Sequence, residues 1–464
     1  MAKIAVAQLI ASDRPTVVVG LGVTGLSVAL YLAARGERFV VVDSRPTPPG
    51  LADLRARLPD VALELGALSV ETLASAGRLV VSPGLSPDEP ALAEARARGV
   101  EIVSDIELFM AEAQAPVIAI TGSNGKSTVT TLVGEMARSA GKNAGVGGNL
   151  GTPALELLDE ARELYVLELS SFQLDLLDRL SATVATVLNV SPDHMDRYGT
   201  VEAYHRSKQR IYRGADCVVS NRDDMLTQAL LSPGVTAYSF GLGEPDMRGF
   251  GLRQEDGELY LAYQFEALLP VRELAIKGRH NIANALAALA LGQAVGLPME
   301  AMVVTLRTFA GLPHRCETVA DEQCELAGKS GIAWINDSKA TNCGATIAAV
   351  TGLADAGTHR LLLIAGGQAK GQDFSGLAQA ARGRVRLAIL LGQDAQAIAD
   401  ALSQASPTTE LVLVDDMNAA VGAAAEAASA GDVVLLSPAC ASFDMYSGFA
   451  ERGEIFRAAV ENLS

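Results

Sequence analysis

Residues 116–128 read PVIAITGSNGKST, a β-branched apolar run that meets a glycine turn and then Lys-Ser-Thr at the start of a helical stretch. A strand that ends in such a turn and feeds a helix N-terminus leaves backbone N–H groups unpaired and aimed outward. Gly122, Ser123, Asn124 and Gly125 would cradle phosphate oxygens, Lys126 would add a cation, and Ser127 or Thr128 a hydroxyl for Mg²⁺. The strict phosphate-loop pattern has four residues between its glycines. Here only Ser123 and Asn124 separate Gly122 from Gly125. The strand before and the Lys-Ser-Thr after still predict a nucleoside-triphosphate site.

Downstream segments place polar groups at the ends of apolar runs. Glu168 follows ELYVL, where a carboxylate would meet the metal of a phosphate loop. His194 stands between Asp193 and Asp196, a donor set suited to Mg²⁺ or Mn²⁺. Lys208, in the helical EAYHRSKQRIY, is expected on a solvated face, and nothing in its spacing singles it out.

A second glycine pattern lies near the start. Gly20, Gly22 and Gly25 form GLGVTG after the strand TVVVG, and Asp43 ends the next strand. This spacing fits a diphosphate seated on a helix end, with the acid reaching a ribose hydroxyl. It fits a dinucleotide or a nucleotide sugar equally. Ser44 and Arg45 add a hydroxyl and a cation, and the loop SPGLSP, with Gly84, points toward the same sheet edge.

The elements that position these groups come in three stretches, about 1–104, 105–311 and 312–464. The first alternates strands (TVVVG, RFVVVD, RLVVSPG, VEIVSD) with Ala-rich helices, which predicts a parallel sheet with crossover helices. The second is again α/β, with GELYLAYQF as an inserted hairpin strand and NIANALAALALGQAV as a long helix. The third repeats the alternation in RLLLIAGG, VRLAILLG, LVLVDD and VVLLSPA, and GLPHRCE is the expected linker before it.

Bulk composition bounds the partners. The chain has 464 residues, too many for one core, with 49% hydrophobic and 20% charged residues. A formal charge of −17 argues against a nucleic acid held by bulk electrostatics. No stretch is expected to span a bilayer, and the short apolar stretch 5–11 lacks the flanks of a signal peptide. The five cysteines lack CxxC spacing and read as reduced thiols of a cytoplasmic protein.

TGSNGKST, GGNLG, LELSSFQL, NVSPDHMDRY, KGRHNIANALAALA, GLPHR, NDSKATN and SPACASFD, in that order, closely resemble the Mur ligase family. The resemblance runs the length of the chain and explains the shortened phosphate loop. It implies three α/β domains: a Rossmann-like N-terminal domain for a UDP-sugar, a central P-loop-type ATPase domain, and a Rossmann-like C-terminal domain for an amino acid. It implies an ATP-dependent amide ligase of cytoplasmic peptidoglycan precursor synthesis, with catalytic Lys126, Glu168, His194, Lys208 and Lys339.

Within that resemblance Lys126 would hold the β- and γ-phosphates, and Ser127 with Glu168 one Mg²⁺. His194 would take a second Mg²⁺ together with Lys208, if that lysine is carbamylated as its family equivalent is; Mn²⁺ is the expected substitute. Asn281 and Asn284 would contact the nucleotide base, and His314, Arg315, Asp337 and Lys339 would close over ATP. The uridine diphosphate would lie on Gly22, Val23, Thr24, Asp43, Ser44, Arg45 and Gly84, and the sugar-peptide on Asn149, Gln173 and His194. Thr341, Lys370, Ser442, Phe443 and Phe449 would hold the incoming amino acid.

The chain has no Asp-Asn-Pro motif, which marks the family branch that adds a diamino acid or lysine. Lys370 in GGQAKGQDF and the hydroxyls of SPACASFD suit a distal carboxylate instead, hence D-glutamate added to UDP-N-acetylmuramoyl-L-alanine. His194 and Asp337 are both candidates for accepting the proton of the incoming amine. The expected partners are these small molecules alone, with the chain acting as a monomer. A dehydrogenase would use GLGVTG but leave TGSNGKST idle, and a folate-polyglutamate ligase needs no UDP site. A non-catalytic nucleotide-binding regulator would need none of Glu168, His194 and Lys208 together.

Overall fold

A computed structural model describes residues 14–230 and 233–463; the apolar stretch 5–11 lies outside the described residues. Three sheets follow one another along the chain. The first is wholly parallel, its five strands ordered 62–65, 39–43, 16–19, 78–81 and 101–103. All four expected strands are present. Ala62–Leu65 is a fifth, at the edge, only half-buried and without the hydrophobic run that marks the others.

The central sheet has nine strands. Ala144–Gly148, Leu164–Glu168, Val117–Thr121, Val184–Val187, Cys217–Asn221 and Thr236–Phe240 lie parallel. Val117–Thr121 is buried along its whole length, as its unbroken VIAIT requires. Gly249–Glu255, Glu258–Tyr263 and Glu266–Pro270 then form an antiparallel meander, with the expected hairpin strand in its middle. The long Ala/Leu helix spans Arg279–Ala294 and packs on Lys126–Ser139, the helix that the phosphate loop opens.

The third sheet orders its six strands 317–320, 333–336, 433–436, 361–366, 385–391 and 410–413, parallel except for the first pair. The segment before it, with neither helix nor strand from Phe309 to Cys316, matches the expected linker. Among the described residues no helix is long and apolar enough to cross a membrane.

Candidate active site between the central and third sheets

The phosphate-loop helix begins at Gly125, whose φ of 82° is left-handed. A side chain there would be strained and would meet Asn284 Oδ1 at 2.5 Å, so glycine is required on both counts. The turn leaves Lys126 half-buried, its Nζ donating to the carbonyls of Gly122 (2.8 Å) and Ser123 (2.9 Å). Behind it, Glu168 at the end of its strand is buried and accepts from Ser127 Oγ (2.6 Å) and Asn149 Nδ2 (2.7 Å). Arg315, from the linker, donates to the same Ser127 Oγ at 2.6 Å.

Two cavities meet at this loop. The smaller, about 390 Å³, is lined by Thr128, Asn281, Asn284, Arg315, Asp337 and Lys339. Asn284 Nδ2 donates to Asn281 Oδ1 at 3.1 Å, so both amides do stand on one helix face. The larger, about 1030 Å³, has Lys126, Ser127, Asn149, Glu168, His194 and Lys208 on its central side. Lys339, Thr341, Lys370 and Phe449 line it from the third unit. Asn124, Gly125, Arg315 and Lys339 border both spaces. The two candidate proton acceptors are therefore separated: His194 lines the larger cavity and Asp337 the smaller.

Lys208 departs from expectation. It is 1% exposed rather than solvated, with Nζ donating to the Gly122 carbonyl at 2.8 Å and lying 4.4 Å from the Tyr204 ring centre. Burial, and then the neighbouring Lys126 charge, hold its pKa well below the usual lysine range. The shift favours the neutral amine, which is the form that adds to carbon dioxide. His194 sits at φ 56° with its ring 4.8 Å from that of Phe172. Burial lowers its pKa against the pull of Asp193, keeping an imidazole lone pair available. Lys339 is pushed down to about 8 by burial and by Arg315, and its ammonium rests 3.8 Å from the Phe449 ring centre.

The donors fit Mg²⁺ in one respect and constrain it in another. Ser127 and Glu168 supply two hard oxygens, the few protein ligands Mg²⁺ takes beside phosphates and water. Among the described residues no group of three or more His, Cys, Asp or Glu could hold a metal by itself. An ion here would complete its coordination with water or phosphate oxygens. As an ammonium Lys208 could only donate, whereas a carbamate there would offer the oxygens that Mg²⁺ prefers.

Several expected residues lie elsewhere. Gln173 is buried, its Oε1 accepting from Ser170 N (3.0 Å) as half of a helix-capping box, and it lines neither cavity. His314 turns its ring into the third unit, with Nδ1 3.0 Å from Asn336 Nδ2. Gly453 leaves the room for it, since a Cβ there would come within 2.2 Å of that ring. Ser442 is buried and Phe443 is 67% exposed; neither borders the cavities.

At the first sheet, Gly22 caps the helix that carries Val23 and Thr24. Asp43 accepts from the Leu21 N–H (2.6 Å) and from Arg45 Nε (2.8 Å), and these hydrogen bonds hold its carboxyl below the usual range against the opposing effect of burial. Ser44 follows it at the strand end, and Gly84 lies in the neighbouring loop.

Two residues inside the recognised motifs carried no expected role. Arg197 donates to the carbonyls of Pro83 (3.3 Å) and Leu85 (3.2 Å) and covers the Phe172 ring. Asn342 caps a helix through Ala345 N (2.9 Å) and donates to Asp193 Oδ2 (3.2 Å). Both sit in the quoted segments NVSPDHMDRY and NDSKATN, which was the available signal.

Known proteins share this order of domains. Residues 14–104 match the Mur ligase MurD-like N-terminal domain, 120–292 the Mur ligase middle domain, and 314–440 the Mur ligase glutamate ligase domain. The chain is 56% identical to the UDP-N-acetylmuramoylalanine--D-glutamate ligase of Pseudomonas syringae pv. syringae, over 98% of this chain and all of that one. The enzyme of the same name from Pseudomonas aeruginosa is also 56% identical, over the same shares. The fold is shared with a MurF ligase from Thermotoga maritima solved with ADP, at TM-score 0.60 and 17% identity over 97% of this chain and 96% of that one. With all three of its domains matched and relatives this similar along its whole length, the chain belongs to the Mur ligase family.

Proposed function

We propose that the chain is an ATP-dependent ligase that joins D-glutamate to UDP-N-acetylmuramoyl-L-alanine in peptidoglycan precursor synthesis, releasing ADP and phosphate. The observation that carries this is the continuous cavity in which Lys126, Ser127 and Glu168 face Lys339, Thr341, Lys370 and Phe449. Full-length similarity to ligases of that name supports the substrate pair. Residues 1–104 would take the UDP-sugar, 105–311 ATP, and 312–464 the amino acid, with the enzyme acting as a cytoplasmic monomer.

The alanyl carboxylate is a poor electrophile. Attack of its oxygen on the γ-phosphorus gives an acyl phosphate and ADP, installing a leaving group. The amine of D-glutamate then adds to the acyl carbon, and the tetrahedral intermediate expels phosphate. Lys126 and Lys339 neutralise phosphate oxygens from opposite walls of the cavity, and Asn281 and Asn284 receive the base. Ser127 with Glu168, and His194 with carbamylated Lys208, would hold the two Mg²⁺ ions, which supply charge neutralisation and alignment of the phosphoryl oxygens.

An acyl phosphate hydrolyses in water, so the third unit closes over the site before reaction. Scattering curves that superpose with and without an ATP analogue plus the UDP-sugar would count against closure. The ligase itself is tested by phosphate release with ATP, Mg²⁺, UDP-N-acetylmuramoyl-L-alanine and D-glutamate, omitting each in turn. Release that requires all four is expected. Release with the UDP-sugar but only with another amino acid would overturn the choice of glutamate.

A further inference from the structure

Arg452 stands in the first turns of the helix Phe449–Glu461, outside every recognised motif and lining neither cavity. It is 2% exposed, unusual for a guanidinium. Its hydrogen bonds run to Ser338 O (2.8 Å), Ser338 Oγ (3.0 Å), Cys440 O (3.1 Å) and Gly366 O (3.5 Å). None of these acceptors is a carboxylate. Asp337 and Asp444 act on it only through space, and burial pulls its pKa down to about 10. A buried charge without a paired acid is costly to keep, and neutral side chains could fill the same space.

What the fork joins is specific. Ser338 belongs to the loop that carries Lys339 and Thr341, Gly366 ends the strand before Lys370, and Cys440 lies two residues before Ser442. Ser338 Oγ in turn donates to Phe449 O at 2.8 Å, tying the same loop to the helix start. One guanidinium thus ties three backbone segments to the start of its own helix, and Lys339, Thr341, Lys370, Ala441 and Phe449 on these four stretches line the larger cavity. It also sets a positive charge behind them that no carboxylate pairs directly.

We propose that Arg452 is the positioning residue of the amino-acid site: it sets the spacing of these segments and favours an incoming dicarboxylate. The proposal rests on the reading of the third unit as the amino-acid domain and deepens it. Arg452→Met removes both fork and charge; Arg452→Lys keeps the charge and loses the planar fork. The KM for D-glutamate should rise at least about tenfold in Arg452→Met and by a smaller factor in Arg452→Lys, with the KM for UDP-sugar within about twofold of wild type.

A merely structural residue would lower the melting temperature and the active fraction while leaving the KM for D-glutamate unchanged, and that result would overturn the proposal. If Arg452→Met does not fold, as judged by loss of ADP binding, Arg452→Lys decides alone on the same criterion. Wild-type enzyme showing no glutamate-dependent phosphate release would overturn the domain assignment, an outcome distinct from an unchanged KM in the variants.

Discussion

The first and central sheets are joined by a shared apolar core, whereas the central and third face each other across two cavities. Val18, Leu21, Val28 and Leu32 of the first unit share one apolar cluster with Phe109, Leu155, Tyr165 and Leu174 of the central unit. The apolar clusters of the third unit draw only on residues from Cys316 onward. Its ties to the centre are the packing of the helix Cys343–Leu353 on Arg279–Ala294 and polar contacts: Asn342 to Asn124 (3.4 Å) and Asp193 (3.2 Å), and Arg315 to Ser127 (2.6 Å). A shared apolar core resists sliding because separation would expose it to water. Polar contacts around a cavity can exchange for water or ligand at little net cost. The first boundary is therefore built to hold, and the closure proposed above would take place at the second.

The sharpest way to break this contrast is to empty the shared core. Phe109 meets Tyr165 edge-on at 5.0 Å between ring centres, and both are buried. Phe109→Ala should destabilise the protein by about 3–5 kcal/mol and lower the melting temperature of the first and central units together. Independent unfolding of the first unit with the centre unaffected would refute the shared core.

At the second boundary the large effect should fall on rate, not stability. Lys126→Ala should lower kcat by about 10²–10³-fold, with thermal unfolding close to wild type. Retained turnover would remove this lysine from phosphoryl transfer.

Lys339 adds a pH signature to the same boundary. With its pKa brought down to about 8, its ammonium is present below that pH and is lost as pH rises through it. The kcat/KM for ATP should therefore fall above about pH 8, approaching tenfold per pH unit. Arg315, Lys126, Glu168 and Asp193 share its field, so the control is Lys339→Arg, which stays charged and should flatten that limb.

The smallest expected change sharpens the contrast from the polar side. Asn342→Asp keeps the helix-capping oxygen but sets a carboxylate against Asp193. The stability loss should stay below that of Phe109→Ala, because Asn342 is buried but the Asp193 it would face is partly exposed to solvent. A loss as large as that of Phe109→Ala would mean that the two boundaries are alike.

The sequence by itself determined what short-range physics controls. VIAIT followed by a glycine turn and Lys-Ser-Thr had to be a strand, a cradle and a helix, and it is. The alternating strands and helices of the first and third stretches had to make parallel sheets, because crossover helices permit little else. Asn281 and Asn284, three residues apart on a helix, had to share a face. The half-buried strand at 62–65 escaped because it lacks the apolar run of its neighbours.

Only the tertiary structure decided burial and partnership across long separations. Lys208 looks like any helix-surface lysine until Gly122, far away in sequence, supplies the carbonyl that receives it. His314 lies in a recognised motif, yet Gly453 and Asn336 draw its ring inward, away from both cavities. Arg452 has no local signature at all; its role exists only because three distant segments bring their oxygens to one guanidinium. Local pattern fixes which element a residue joins, while desolvation and hydrogen-bond pairing depend on what packs against that element.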